Sequence, residues 1–410
     1  MRIAIYSHDT FGMGNIRRML AICRHLDHSI PEASILIVTG SPMLQSFRIP
    51  EGIDYIKLPC LKRDEEGNLA PRCLHHLELK DVVEARRDLL FAAIRAFRPD
   101  LLLVDKKPAG LCDELLTSIV DLKLSRPRAK IILILRDILD SPSQTHAVWK
   151  EQRHAELVEA YYDHVIVLGT RDVFDVCAEY QLPRAVRRRV EFCGYIRREP
   201  STVTRAEMRH EWRIAEFEPL VLVTTGGGED GYELIRNYIL GLRTLPRERQ
   251  PCSVVITGPE LRTDRQSDIR NMVAFHPRLK VVEFTDDMMA ALNAADVVVS
   301  MGGYNTICEI LSLGKRAVVV PRTRPVAEQW IRAERMSSRG LFRALHPNDV
   351  TPALLMDEVS TQLAEARAGV NPQAVDIDMN ALSRIADLVC STGLRREAVY
   401  QPALVAGARF

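Results

Sequence analysis

The sequence predicts an α/β protein built from two doubly wound parallel sheets facing each other across a cleft. Three observations carry that prediction. Apolar runs of four to seven residues alternate with longer helix-patterned segments. Several of those runs are unbroken Ile, Leu and Val with no polar alternation, as expected of parallel strands covered on both faces. The alternation then starts a second time, and 410 residues are too many for one core, so two domains of about 200 residues each are expected.

In the first series the strands are "IAIYS" (3–7), "ILIVTG" (35–40), "IDYIKLP" (53–59), "LLLVD" (101–105), "IILILRD" (131–137) and "HVIVLGT" (164–170). Segments 16–26 and 79–97 between them have helical spacing and length. Strand, helix, strand in repetition gives an open doubly wound sheet. The second series is "LVLVTTGGG" (220–228), "SVVITGP" (253–259), "LKVVEF" (279–284), "ADVVVS" (295–300) and "RAVVVP" (316–321). A polar, basic stretch around 195–205 separates the two. The expected division is 1–198, 199–375 and a helical tail, 376–410, that returns to the first domain. The arginines at 187–189, 197 and 198 read as a solvated hinge surface.

Composition narrows the class. Apolar residues make up 47% and charged residues 27%, as in soluble globular proteins. A net charge of +1 argues against nucleic acid as a partner. Nine scattered cysteines, none in a C-x-x-C pair, argue against a disulfide framework or a zinc site and fit a reducing cytoplasm. The N-terminal apolar run is too short for a signal peptide, and no run of about 18 apolar residues exists to cross a membrane.

Three glycine-bearing turns follow strands: "HDTFGMGN" (8–15), "TTGGGEDG" (224–231) and "MGGYNT" (301–306). A helix N-terminus presents unpaired N–H groups, and glycine removes the Cβ that would hold a phosphate away. Such turns hold a diphosphate without a metal. Glu309 lies about one turn inside the helix that follows Gly302 and Gly303, and its side chain leans back toward the helix start. There it can accept hydrogen bonds from a ribose diol. Glu328 and Gln329, at the start of the next helix, offer a carboxylate and an amide for sugar hydroxyls. Arg17 and Arg18 read as a solvated helix face.

Together, residues 281–341 and the "TTGGG" near 226 resemble the C-terminal domain of the MurG-like glycosyltransferases, family 28 of the GT-B fold with its two Rossmann-like domains. The resemblance implies Gly226, Gly227 and Gly228 as phosphate-loop glycines. It implies Phe284, Thr285 and Met288 beside the nucleotide base, and Gly302 and Gly303 in the diphosphate turn with Tyr304, Asn305 and Thr306 following. It further implies Glu309 on the donor ribose and Glu328 with Gln329 on the donor hexose. In the first-domain turn Gly12 and Gly14 keep the family spacing, but Asn15 stands where the family has histidine. Asparagine cannot act as a base. A hydrophobic membrane-docking patch is also not evident, which argues against a lipid-linked acceptor.

The implied activity is inverting transfer of a hexose from a nucleotide-diphosphate sugar, UDP-linked or dTDP-linked, to a small-molecule or glycan acceptor. No tightly bound cofactor or metal is expected, and Mg2+ is not needed for binding. Retaining GT-B enzymes often carry a second glutamate earlier than Glu309, and Met301 occupies that place. His8 is the first candidate base and Asp9 the second. Asp105 and Asp137 end strands at the cleft, where they bind acceptor or support loops, and acceptor recognition is expected around 60–80 and 138–155. The same fold also hosts nucleotide-sugar hydrolases, 2-epimerases and donor-binding proteins without catalysis. A dinucleotide oxidoreductase is disfavoured, since "GMGNIR" lacks the third small residue and no acid follows the second strand.

Overall fold

The computed structural model describes residues 1–8, 14–63, 68–274, 276–370 and 376–393. The first domain holds β1 (Arg2–Ser7), β2 (Ser34–Thr39), β3 (Ile53–Lys57), a hairpin of β4 (Leu61–Arg63) and β5 (Leu69–Pro71), then β6 (Leu101–Asp105), β7 (Lys130–Arg136), β8 (His164–Leu168) and β9 (Val190–Phe192). The second holds β10 (Leu220–Thr224), β11 (Cys252–Ile256), β12 (Leu279–Val282), β13 (Val297–Ser300), β14 (Arg316–Val319) and β15 (Arg343–Ala344).

The two main sheets are wholly parallel, ordered β3-β2-β1-β6-β7-β8-β9 and β12-β11-β10-β13-β14-β15. Their unbroken apolar strands are buried end to end, as β6, β10 and β11 illustrate. Helices on both faces remove that surface from water, at about 25 cal/mol per Å² of apolar area. In each sheet the order reverses beside the first strand, at β1/β6 and at β10/β13. Chains leave those neighbours in opposite directions, which opens a crevice at the carboxyl ends.

Four short strands escape the hydrophobic pattern. β9 is a three-residue edge strand in the segment read as hinge, β15 has two residues, and the β4–β5 hairpin joins polar stretches. Edge pairing needs few apolar side chains, so it leaves little trace in the sequence.

The domains share a core. One buried apolar cluster runs from the first sheet through Cys193, Tyr195 and Ile196 to Tyr304, Ile307 and Cys308 of the second domain, and takes in Ala381, Ile385 and Val389. The chain after the second domain crosses back. Tyr195 N donates to Asp378 O (2.8 Å), and the helix Ala381–Gly393 packs on the helix Gly14–Ser29. No helix among the described residues is long and apolar enough to cross a membrane.

Candidate active site

A cavity of about 1170 Å³ lies between the domains. Of the residues singled out for donor binding, Gly226, Phe284, Thr285, Met288, Thr306 and Glu309 line it. Gly226 follows β10 with φ +69°, and a Cβ there would meet no atom within 4 Å, so its backbone faces open space. Gly258, at φ +84°, also lines the cavity, but a Cβ on it would strike Gly227 O at 2.4 Å, so this glycine packs the two turns together. Phe284 keeps 38% of its surface exposed, an apolar platform inside a polar cleft.

The other glycines do different work. A Cβ on Gly227 would strike the Glu260 carboxylate at 2.4 Å, and one on Gly228 would strike Thr257 O at 2.3 Å. These two pack the turn against the Thr257–Glu260 loop and do not line the cavity. Gly302, at φ +77°, lies so close to Val319 that a Cβ would come within 2.8 Å of Cγ1. That close approach seats the turn. Gly303 is the N-cap of the helix Tyr304–Ser312, no side chain caps that end, and its missing Cβ has only Gln329 Nε2 nearby, at 4.0 Å. The helix therefore starts with free N–H donors.

Glu309 is 1% exposed. One carboxylate oxygen accepts from Arg17 of the first domain, and Oε2 has no hydrogen-bond partner among the described residues. A buried carboxylate oxygen left without a donor costs free energy until something supplies one. Asn305, on the same helix, donates from Nδ2 to Gly14 O (2.9 Å) and accepts from Arg198 Nη2 (2.7 Å). Two arginine expectations are thereby corrected. Arg197 and Arg198 line the cavity and are not only a solvated hinge. Arg18 is 1% exposed and ion-paired, because the first helix turns that face toward the second domain.

Nearer the strand ends of the first sheet the domains are tied by buried charge. Arg332 grips Asp137 with two bonds of 2.7 Å and donates to Gly302 O at 3.2 Å. Arg136 pairs with Glu328 (2.6 Å), and Ala327 N donates to Asp140 (2.9 Å), while Arg18 pairs with Asp105 (2.6 Å) within the first domain. The Tyr304 ring lies between the Arg18 and Arg332 guanidinium groups at 6.0 and 5.6 Å and stacks on Tyr195 at 6.0 Å. Asp105 and Asp137 do end strands at the cleft, but Asp137 is the counter-ion of Arg332 across the domain interface and Asp105 that of Arg18 in its own domain. Glu328 belongs to the same network, and Gln329 Oε1 accepts from Arg322 N (3.2 Å). Burial alone would raise the Glu328 carboxyl, yet Arg136, Arg332 and Lys106 outweigh it and hold it at about 2.

His8 is buried at the end of β1, its Nδ1 3.1 Å from Asp105 O. A carbonyl oxygen only accepts, so Nδ1 carries the proton and Nε2 keeps its lone pair. Burial first, then Lys106 and Lys107, push the imidazole well below its ordinary value, so it is neutral at pH 7. Asn15 Oδ1 accepts from Arg18 Nη2 (3.1 Å). Asp9 and Gly12 lie outside the described residues.

Lys106 was not foreseen. It follows β6 at φ 64°, a conformation lysine rarely adopts, and burial with Arg136 nearby pushes its ammonium down to about 7. Two consecutive lysines straight after a buried strand were the available signal.

Paired switch points, a cleft between them and a glycine turn opening the Tyr304–Ser312 helix define the GT-B class. Residues 220–389 match the Glycosyltransferase family 28 C-terminal domain, and the two-sheet fold is the GT-B fold. A UDP-N-acetylglucosamine--N-acetylmuramyl-(pentapeptide) pyrophosphoryl-undecaprenol N-acetylglucosamine transferase of Haemophilus influenzae is 30% identical over 113 residues. That match covers 27% of this chain and 32% of the relative. The crystal structure of Acinetobacter baumannii MurG superposes with a TM-score of 0.58 at 14% identity, covering 95% of this chain and 100% of the other. A UDP-GlcNAc 2-epimerase from Neisseria meningitidis, bound to UDP-GlcNAc, gives 0.61 at 13% identity, covering 96% and 99%. At such identities both establish the fold.

Proposed function

We propose that the protein transfers a sugar from a nucleoside-diphosphate sugar to an acceptor hydroxyl or amine, with inversion. The observation that carries this reading is Glu309. It is a buried carboxylate with one oxygen unsatisfied, one turn inside an uncapped helix and on the wall of the interdomain cavity. A ribose hydroxyl supplies the missing donor. The diphosphate then meets the N–H groups behind Gly303, and the base lies against Phe284 and Thr285.

In the reaction the acceptor oxygen bonds to the anomeric carbon, and the bond from that carbon to the diphosphate oxygen breaks. The electron pair leaves with the diphosphate, where the helix-end amides stabilise the growing charge. The acceptor proton passes to a first-domain base. His8 Nε2 suits that role because the bond to Asp105 O fixes the tautomer and burial keeps the ring neutral. Glu328 and Gln329, which the resemblance assigns to the hexose, do not line this cavity, and Arg136 and Arg332 hold Glu328 in the domain interface.

The test is product analysis with purified protein, a panel of UDP- and dTDP-sugars and an acceptor pool. The reading predicts a glycosylated product from the wild type and none from His8→Ala or Glu309→Ala. Free sugar or an epimer formed without acceptor would instead make the protein a hydrolase or an epimerase. Binding of a donor without any turnover would leave a non-catalytic binding protein.

A further inference from the structure

The ribose carboxylate does not stand alone. Arg17 sits on the helix Gly14–Ser29 of the first domain, and Glu309 on the helix Tyr304–Ser312 of the second. Their ion pair crosses the cleft, and both line the same cavity.

We infer that Arg17 is a positioning residue: it fixes the rotamer of Glu309 so that Oε2 is aimed at the ribose, which makes recognition of the pentose depend on the two domains being closed. The inference rests on the nucleotide reading given above.

The physical case has three parts. A carboxylate buried to 1% is costly as an anion unless a cation faces it, and once protonated it loses acceptor capacity. Arg17 supplies that cation while remaining 26% exposed, so its own desolvation is only partial. Second, the guanidinium bonds one oxygen only, and the other stays buried with no partner among the described residues. A planar donor on one oxygen restricts rotation of the carboxylate and leaves the lone pairs of the second directed elsewhere. Third, the surrounding contacts hold the two helix ends in register. Asn305 Nδ2 donates to Gly14 O at 2.9 Å, and Arg198 Nη2 donates to Asn305 Oδ1 at 2.7 Å. Opening the cleft would break the Arg17 pair and the Asn305 bond together.

The experiment is isothermal titration of the full chain with two ligands. One is whichever of UDP, GDP and ADP binds most tightly, and the other is its 2′,3′-dideoxy form. The wild type is expected to prefer the ribonucleotide by roughly tenfold or more, the effect of a hydrogen bond to a charged group. In Arg17→Ala that ratio is expected to fall to about threefold or less, with most of the loss on the ribonucleotide. Arg17→Lys, which keeps the charge without the fork, should recover part of it. Melting curves of each variant identify any that fails to fold, and Arg17→Lys then carries the test. An unchanged ratio in both variants would overturn the inference and leave the nucleotide reading standing. Tighter ribonucleotide binding by Arg17→Ala would also overturn it, making Arg17 a plug in place of a guide. A wild type that binds no nucleotide, or shows no preference between the two forms, would defeat the ribose reading itself.

Discussion

Two regions of the interdomain cleft carry buried carboxylates, and they differ in what surrounds them. In the ion-paired interface, Arg332 grips Asp137 on both oxygens at 2.7 Å and Arg136 pairs with Glu328 at 2.6 Å. Asp105 pairs one oxygen with Arg18 of its own domain and leaves Oδ2 without a hydrogen-bond partner among the described residues, but it does not line the cavity. In the interdomain cavity, Glu309 also accepts from one arginine and leaves Oε2 unpartnered among the described residues, beside the Gly226 backbone and an exposed phenylalanine. A half-satisfied buried carboxylate is a ligand position only where it also lines open space, as Glu309 does.

The contrast can be broken from the scaffold side first. Asp137→Ala leaves Arg332, which is 0% exposed, with only Glu328 at 3.7 Å as counter-ion. Removing one partner of a buried pair costs about 3–5 kcal/mol. A lowered urea midpoint of that size is expected, and a midpoint within experimental error of the wild type would place the pair among the dispensable contacts.

Acid should act on the same scaffold. His154, which burial and Lys107 push down to about 4, stays neutral in the native state, whereas the unfolded chain protonates near 6.5. Between those values the unfolded state binds more protons, so stability falls as pH drops from 6.5 to 4, by at most about 3 kcal/mol. Glu328, held at about 2, adds stability above its ordinary value of 4.5 that is lost between 4.5 and 2. Denaturant midpoints against pH should therefore descend in two stages, and His154→Gln should shrink the upper one without abolishing it, because buried His8 contributes to the same stage.

On the site side, Glu309→Gln should weaken nucleotide binding by about 1.5–3 kcal/mol, the value of a hydrogen bond to a charged acceptor. Calorimetry reads this directly, and an unaltered affinity would remove Glu309 from the site. The smallest effect belongs to Gly226→Ala. At φ +69° the alanine costs roughly 1–2 kcal/mol of stability, and its methyl enters the cavity. Melting temperature and nucleotide affinity should both fall slightly.

Both sheets were legible in the sequence, because a parallel strand covered on two faces must be apolar throughout, as 101–105 and 220–224 are. Glu309 and Gly303 were legible too, since a helix start and a one-turn offset are local geometry. What could not be read is which side chains meet across the cleft. Arg17 and Arg18 are adjacent in a helix that reads as a polar face, yet one closes on Glu309 and the other on Asp105. Their partners lie 292 and 87 residues away, and no local pattern encodes that pairing. The three glycines at 226–228 look equivalent in sequence, and only backbone direction separates the one facing the cavity from the two that pack.

The most direct measurement is hydrogen exchange with and without a saturating nucleoside diphosphate. Protection is expected at 284–289 and 303–309, on the cavity wall and the helix start. Protection confined to a separate cavity of the second domain, about 730 Å³ beside Asp230, Arg322 and His346, would contradict the account. So would bound nucleotide that protects neither region.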